Sequence, residues 1–136
     1  MSAHSWNTQS FVRSSAALVT VLLILGCGGV KMYPGPALAR DKIAVLEIRN
    51  VTLYALDDEA VKLGNQRKLR ILPGEHALRA SHAMAGYDAM PITYTFTAEA
   101  GRTYFFGADY EIQRTLSWRP WVRDAKSGQT IGRWKP

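Results

Sequence analysis

Apolar and polar side chains alternate with period two along two neighbouring stretches, and this alternation limits the fold more than any other feature of the chain. Ile92, Tyr94, Phe96 and Ala98 fall on one face of an extended strand, with Thr93, Thr95 and Thr97 on the other. After a turn at Glu99-Ala100-Gly101, Tyr104, Phe106, Ala108, Tyr110 and Ile112 share a face opposite Thr103, Phe105, Asp109 and Glu111. A helix cannot present such a pattern as one apolar stripe. Two strands are therefore expected, set opposite one another, with aromatic and β-branched cross-strand pairs each contributing a few tenths to ~1 kcal/mol.

Shorter stretches repeat the theme. Residues 43–48 form a nearly continuous apolar run, which predicts a strand covered on both faces. Residues 52–56 end at the turn-forming Asp57-Asp58. Lys68-Leu69-Arg70-Ile71-Leu72 alternates and stops at Pro73-Gly74, after which residues 76–80 resume, reading as a hairpin. Residues 118–123 and 129–134 suggest a last hairpin around Lys126-Ser127-Gly128. Residues 60–63 fit a short helical turn or another strand equally well. About seven or eight short strands separated by turn signals predict an all-β domain over 42–136, a small antiparallel β-sandwich.

The N-terminus is of a different kind. Met1 to Ser15 is polar with one strong cation, Arg13, and residues 16–25 form a ten-residue apolar run whose only hydroxyl is Thr20. Signal peptides have apolar runs of about 7–15 residues, whereas a spanning helix needs roughly 20. Gly26, Gly28 and Gly29, then Lys31 and Tyr33-Pro34-Gly35-Pro36, end any helix soon after. The run closes as Leu22-Leu23-Ile24-Leu25-Gly26-Cys27, which resembles the lipobox of bacterial lipoproteins; Leu25 is bulkier than the residue usual there. The resemblance implies a signal peptide over 1–26 and cleavage between Gly26 and Cys27. It further implies diacylglyceryl and N-acyl lipids on Cys27, and a lipidated tether over 27–41. Gly28 stands where an Asp would, by the same analogy, retain the protein in the inner membrane. The expected address is thus the bacterial cell envelope, with the outer membrane, periplasmic side, favoured over the inner. Free secretion and an uncleaved anchor are the alternatives.

Removing residues 1–26 from the 136 leaves 110, enough for one small core. Cys27 is the only cysteine, so no intramolecular disulfide can staple the domain and packing alone must hold it. Without Arg13, 16 of the 17 Lys and Arg remain against 11 Asp and Glu, a balance of +5. That excess suits anionic headgroups or acidic wall polymers. Nucleic acid is not expected as a partner outside the cytoplasm, and no Gly-rich phosphate loop points to a nucleotide cofactor.

Several phrases occur together: Tyr33-Pro34-Gly35-Pro36, Leu72-Pro73-Gly74-Glu75-His76, the run Phe96 to Tyr104 through Ala98-Glu99-Ala100-Gly101, and Trp121 to Asp124 followed by Ser127-Gly128. In these the chain resembles a class of small bacterial lipoproteins with a PEGA-like or transthyretin-like β-sandwich. The Pro-Gly-X-His element resembles the hairpin repeated in PEGA-type surface domains. The resemblance implies fold and location, and no reaction.

Candidate sites are few. His76 and His82 with Asp88 or Glu75 would be the only material for a metal site, and their spacing fits no standard ligand pattern. Ser81-His82 and Ser117, with Asp109 or Asp124, contain the residue types of a hydrolytic triad, but no Gly-x-Ser-x-Gly turn holds either serine. An enzyme is accordingly not expected. Trp118, Trp121 and Trp134 fall within 17 residues among Arg119, Arg123, Arg133 and Lys135. They either plug one end of the sandwich or form an exposed aromatic and cationic platform for a glycan such as peptidoglycan or for an envelope protein. The loop Met84 to Pro91 is a simple connector or a recognition loop. The expected function is a non-enzymatic envelope binding or scaffold module, with a cell-wall glycan binder using Trp118, Trp121 and Trp134 as the alternative, and a small periplasmic hydrolase behind it.

Overall fold

The computed structural model describes residues 28–135. Gly26, Cys27 and the expected signal peptide lie outside those residues. Among the described residues, eleven strands make two sheets. The first is ordered β1(Val30–Lys31), β5(Lys68–Ile71), β2(Ala44–Ile48), β8(Thr103–Ile112), β9(Leu116–Asp124), β10(Thr130–Ile131). The second is ordered β11(Arg133–Lys135), β7(Ile92–Ala98), β6(Gly74–His82), β3(Val51–Leu56), β4(Glu59–Ala60). The all-β sandwich architecture stands, with the two-residue strands raising the number above eight.

Period-two alternation builds the core. Tyr94, Phe96 and Ala98 of β7 are buried, as are Tyr104, Phe106 and Ala108 of β8, while their alternate neighbours reach outward. The Phe96 and Tyr104 rings meet edge to face with centroids 5.5 Å apart, and Tyr94 and Phe106 lie 5.9 Å apart. Each pair joins one sheet to the other. Leu46, Leu69, Ile71, Leu78 and Val122 fill the remaining space without exposure. Each such side chain contributes about 1.5–3 kcal/mol by leaving water.

β2 is covered on both faces, as its continuous apolar run predicts. Ala44, Leu46 and Ile48 enter the core, while Val45 is buried outside it, together with Tyr33 and Ile43. The segment supplying Tyr33 was expected to be tether. Instead β1 pairs in parallel with β5, and the Tyr33 hydroxyl accepts a hydrogen bond from the Leu38 amide. Arg40, in a single 3-10 turn, donates to the Thr103 hydroxyl on the outer face of β8. Residues 30–43 are therefore part of the domain, because Tyr33 and Ile43 find apolar cover there.

Two expected hairpins are corners between sheets. β5 pairs with β2 and β1, whereas β6 pairs with β3 and β7, so Pro73-Gly74 carries the chain across the core. Likewise β7 and β8 lie in opposite sheets, and the turn at Gly101 (φ +79°) crosses between them. Their aromatic faces meet through the core instead of across a ladder. The crossing also makes β2 and β8 parallel neighbours, as β1 and β5 are, in a sandwich otherwise antiparallel. Residues 59–60 form β4, paired with β3 through a tight turn in which Asp57 and Asp58 both take left-handed backbone angles.

Candidate functional site

The site is built where the chain leaves one sheet for the other. β9 and β10 form the expected last hairpin, but only as far as Ile131. At Gly132 (φ +77°) the chain crosses to β11, which pairs with β7 so that Trp134 stands opposite Tyr94. The crossing is tight. A Cβ on Gly132 would sit 2.2 Å from the Thr95 carbonyl oxygen. The Tyr94 hydroxyl donates to the Ile131 carbonyl at 2.6 Å, and burial raises its pKa. Residues 130–135 thus form a strap along one open side of the sandwich.

Clefts flank the strap on both sides. One, of about 390 Å³, has Trp121 and Trp134 in its walls with Arg119, Arg123, Arg133 and Asp109. Its geometry follows from a small residue. Gly107 pairs with Trp121 across the β8–β9 ladder, and a Cβ there would fall 2.7 Å from the indole. Lacking that carbon, the strand lets the indole lie over it. The Trp121 ring nitrogen then donates to Asp109 at 3.1 Å, and Arg123 stacks over the ring at 3.8 Å while reaching Asp109 at 3.7 Å. Pro120 falls on a stretch of β9 beyond its pairing with β10, where a missing N–H costs no ladder bond.

The structure therefore brings together Trp121 and Trp134 and excludes Trp118. Residues 118 and 121 are three apart in one strand, which puts them on opposite faces. Trp118 packs inward, half-buried, edge to face with His82 at 5.9 Å. Trp134 is 42% exposed and available to a ligand. The sequence signal missed the two glycines and the role of Asp109. Only tertiary contact reveals why those positions need them.

The second cleft, of about 710 Å³, mixes Glu75, Glu99 and Asp124 with Arg102, Arg133 and Lys135. Asp124 is buried and committed to structure. One carboxylate oxygen accepts the Lys126 and Ser127 amides, and the other accepts from Arg102 at 2.9 Å. Those bonds, the Ser127 amide first and Arg102 next, lower its pKa from 3.8 to about 2. A depressed carboxylate pKa stabilises the fold above the unfolded value, and this contribution is lost as pH falls from about 4 towards 2. With Arg102 half exposed to screening solvent, its size is about 1–2 kcal/mol. Asp124→Asn is expected to unfold more readily than wild type at neutral pH, with the gap narrowing as denaturation is repeated towards pH 2. A gap independent of pH would remove Asp124 from this role.

The histidines and serines do not assemble. His76 and His82 lie six residues apart on β6, about 20 Å along a strand. His76 contacts the Asp57 carboxylate at 2.5 Å and the Leu72 carbonyl at 2.6 Å. His82 contacts the Asp88 carbonyl at 2.8 Å, and its other ring nitrogen accepts the Met84 amide. Ser81 is buried against the Tyr54 hydroxyl at 2.9 Å, facing away from the His82 ring, and Ser117 is exposed on β9. Among the described residues no group of His, Cys, Asp and Glu side chains is placed to hold a metal ion. No described helix is long and apolar enough to cross a membrane.

The chain matches no family model, no curated protein and no solved structure.

Proposed function

We propose that this chain is a lipid-anchored binding domain of the bacterial cell envelope, and that the cleft between Trp121 and Trp134 takes an acidic glycan strand. The observation that carries the reading is the cleft's composition. The half-exposed Trp134 indole offers a flat apolar face of the kind that stacks on sugar rings, Trp121 with Arg123 stacked on it forms the facing wall, and three arginines against one aspartate leave a positive balance for carboxylates. A volume of about 390 Å³ lies within the range of small-molecule sites. Peptidoglycan, a carboxylate-bearing glycan polymer, is the partner that suits an envelope address. The address itself rests on the resemblance of residues 22–27 to a lipobox, with diacylglyceryl and N-acyl chains on Cys27 and the outer membrane favoured by Gly28. No covalent step is assigned to the cleft, because its polar groups bind and orient without presenting an activated nucleophile.

Sedimentation of the full chain with isolated peptidoglycan sacculi tests the reading. The wild-type protein is expected to co-sediment. Trp134→Ala and Trp121→Ala should each weaken binding about tenfold or more, as loss of a central aromatic contact does. Trp118→Ala, outside the cleft, should bind as wild type does. Equal loss from all three substitutions, or no sedimentation of the wild type, would contradict the assignment.

A further inference from the structure

The direction of β1 says which end of the sandwich faces the N-terminal anchor. β1 runs parallel to β5 and so antiparallel to β2, with Val30 beside Leu69 and Leu69 beside Leu46. The chain therefore enters β1 from the end towards which β2, β6 and β8 run. That end holds the β2–β3 turn at Arg49 and Asn50, the loop 83–91 and the tip of the β8–β9 hairpin at 113–115. These parts are fastened together: the Tyr110 hydroxyl donates to the Asn50 carbonyl and accepts the Ala83 amide.

The same end leaves apolar side chains in water. Met90 is 79% exposed, Ile112 50% and Tyr87 40%. Both elements that carry them project beyond the paired part of the sandwich, since the last residues of β8 pair only with β9. Arg49, Arg67 and Arg114 are exposed at this end with Asp88 and Glu111, and Arg49 is paired with Glu47 at 3.2 Å. The opposite end consists of the segment 32–43 and turns at Asp57-Asp58, Pro73-Gly74, Glu99-Ala100-Gly101 and 125–128, where Leu38 and Leu72, 41% and 37% exposed, are the large apolar side chains in contact with water.

We infer that the loop end lies against the lipid surface to which Cys27 is attached, with Tyr87, Met90 and Ile112 seated among the headgroups. The inference rests on the lipid-anchor reading of Cys27. Three arguments select a membrane as the occupant. The segment that would carry the acyl chains joins the domain at Gly28, one residue from Cys27, and approaches from this end. The exposed apolar groups sit at the tips of projecting loops, a convex arrangement that can dip into an interface where a protein partner would need a groove. Among the described residues Arg67 and Arg114 enter no ion pair, which leaves both to meet anionic headgroups. A tyrosine and a methionine are also tolerated at the boundary between headgroups and acyl chains. The lipid would hold the domain near the surface, and the loops would set which side faces outward. The strap and its clefts then run along the flank, open to the periplasm.

The solitary cysteine makes this measurable. Full chain purified from membranes with its lipid, carrying Met90→Cys, has one free thiol for an environment-sensitive dye. The protein is placed in vesicles of phosphatidylethanolamine and phosphatidylglycerol containing nitroxide-labelled lipid. Dye at position 90 is expected to be quenched at least about twofold more than dye at Ser127→Cys on the far end, as for groups buried about 5–10 Å into the interface. Equal or absent quenching at both positions, with one dye per chain and the protein still floating with the vesicles, overturns the inference and leaves the anchor reading intact. Two dyes per chain, one of them on Cys27, overturn both.

Discussion

Gly132→Ala is expected to be the most destabilising single-methyl change in this domain. Two costs fall on one carbon. The left-handed φ of +77° is unfavourable for a residue with a Cβ, and the added carbon would lie 2.2 Å from the Thr95 carbonyl oxygen and 2.8 Å from the Phe96 Cβ. Both neighbours belong to β7, a strand of the core, so relief must come from the strap. β11 would lift from β7, taking Trp134 out of the cleft. Gly128 provides the matched control, having φ +72° with nothing within 4 Å of its missing Cβ. The backbone term alone costs about 1–2 kcal/mol at either site, whereas steric overlap should bring Gly132→Ala to about 3 kcal/mol or more. In thermal unfolding that corresponds to a fall of roughly 12 °C or more against roughly 4–10 °C for Gly128→Ala. Equal falls would mean that the strap does not press on β7, and the cleft would lose its wall.

Strands were legible because burial obeys period two. The inward set Tyr94, Phe96, Ala98, Tyr104, Phe106 and Ala108 can be read directly from 92–112, and the both-faced burial of β2 from its unbroken apolar run. Pairing was not legible. Pro73-Gly74 and Glu99-Ala100-Gly101 announce that the chain reverses, but the same turn chemistry serves a hairpin and a corner between sheets. What decides is the core: Phe96 meets Tyr104 and Tyr94 meets Phe106 through the interior, each contact joining one sheet to the other. The segment that follows residue 28 shows the same limit of local composition. Tyr33-Pro34-Gly35-Pro36 has linker composition, yet one tyrosine with an apolar resting place is enough to fold it back.

The candidate site was half legible. A cluster of tryptophans among arginines marked the region, and strand parity separates Trp118 from Trp121 without coordinates. The union of Trp121 with Trp134 depends on the sheet change at Gly132, which no local pattern announces. Asp109 appears in the sequence only as one more outward acid on β8. In the fold it holds the Trp121 and Arg123 pair in place.

Replacing Cys27 by serine should have the largest effect on where the protein resides. Only a thiolate-bearing side chain takes the diacylglyceryl group in lipoprotein maturation of the kind proposed, and a hydroxyl with a far higher pKa does not substitute for it. Each buried methylene contributes about 0.8 kcal/mol, so two or three acyl chains anchor durably while none leaves only the contacts of the loop end. The fold should be untouched, since the described domain begins beyond this residue and contains no cysteine. Cys27→Ser protein should therefore unfold at the wild-type temperature while carrying no acyl chain. Metabolic labelling with radioactive palmitate tests the anchor most directly. Wild-type protein is expected to carry label and Cys27→Ser none, whereas label persisting in Cys27→Ser, or missing from the wild type, would contradict the account.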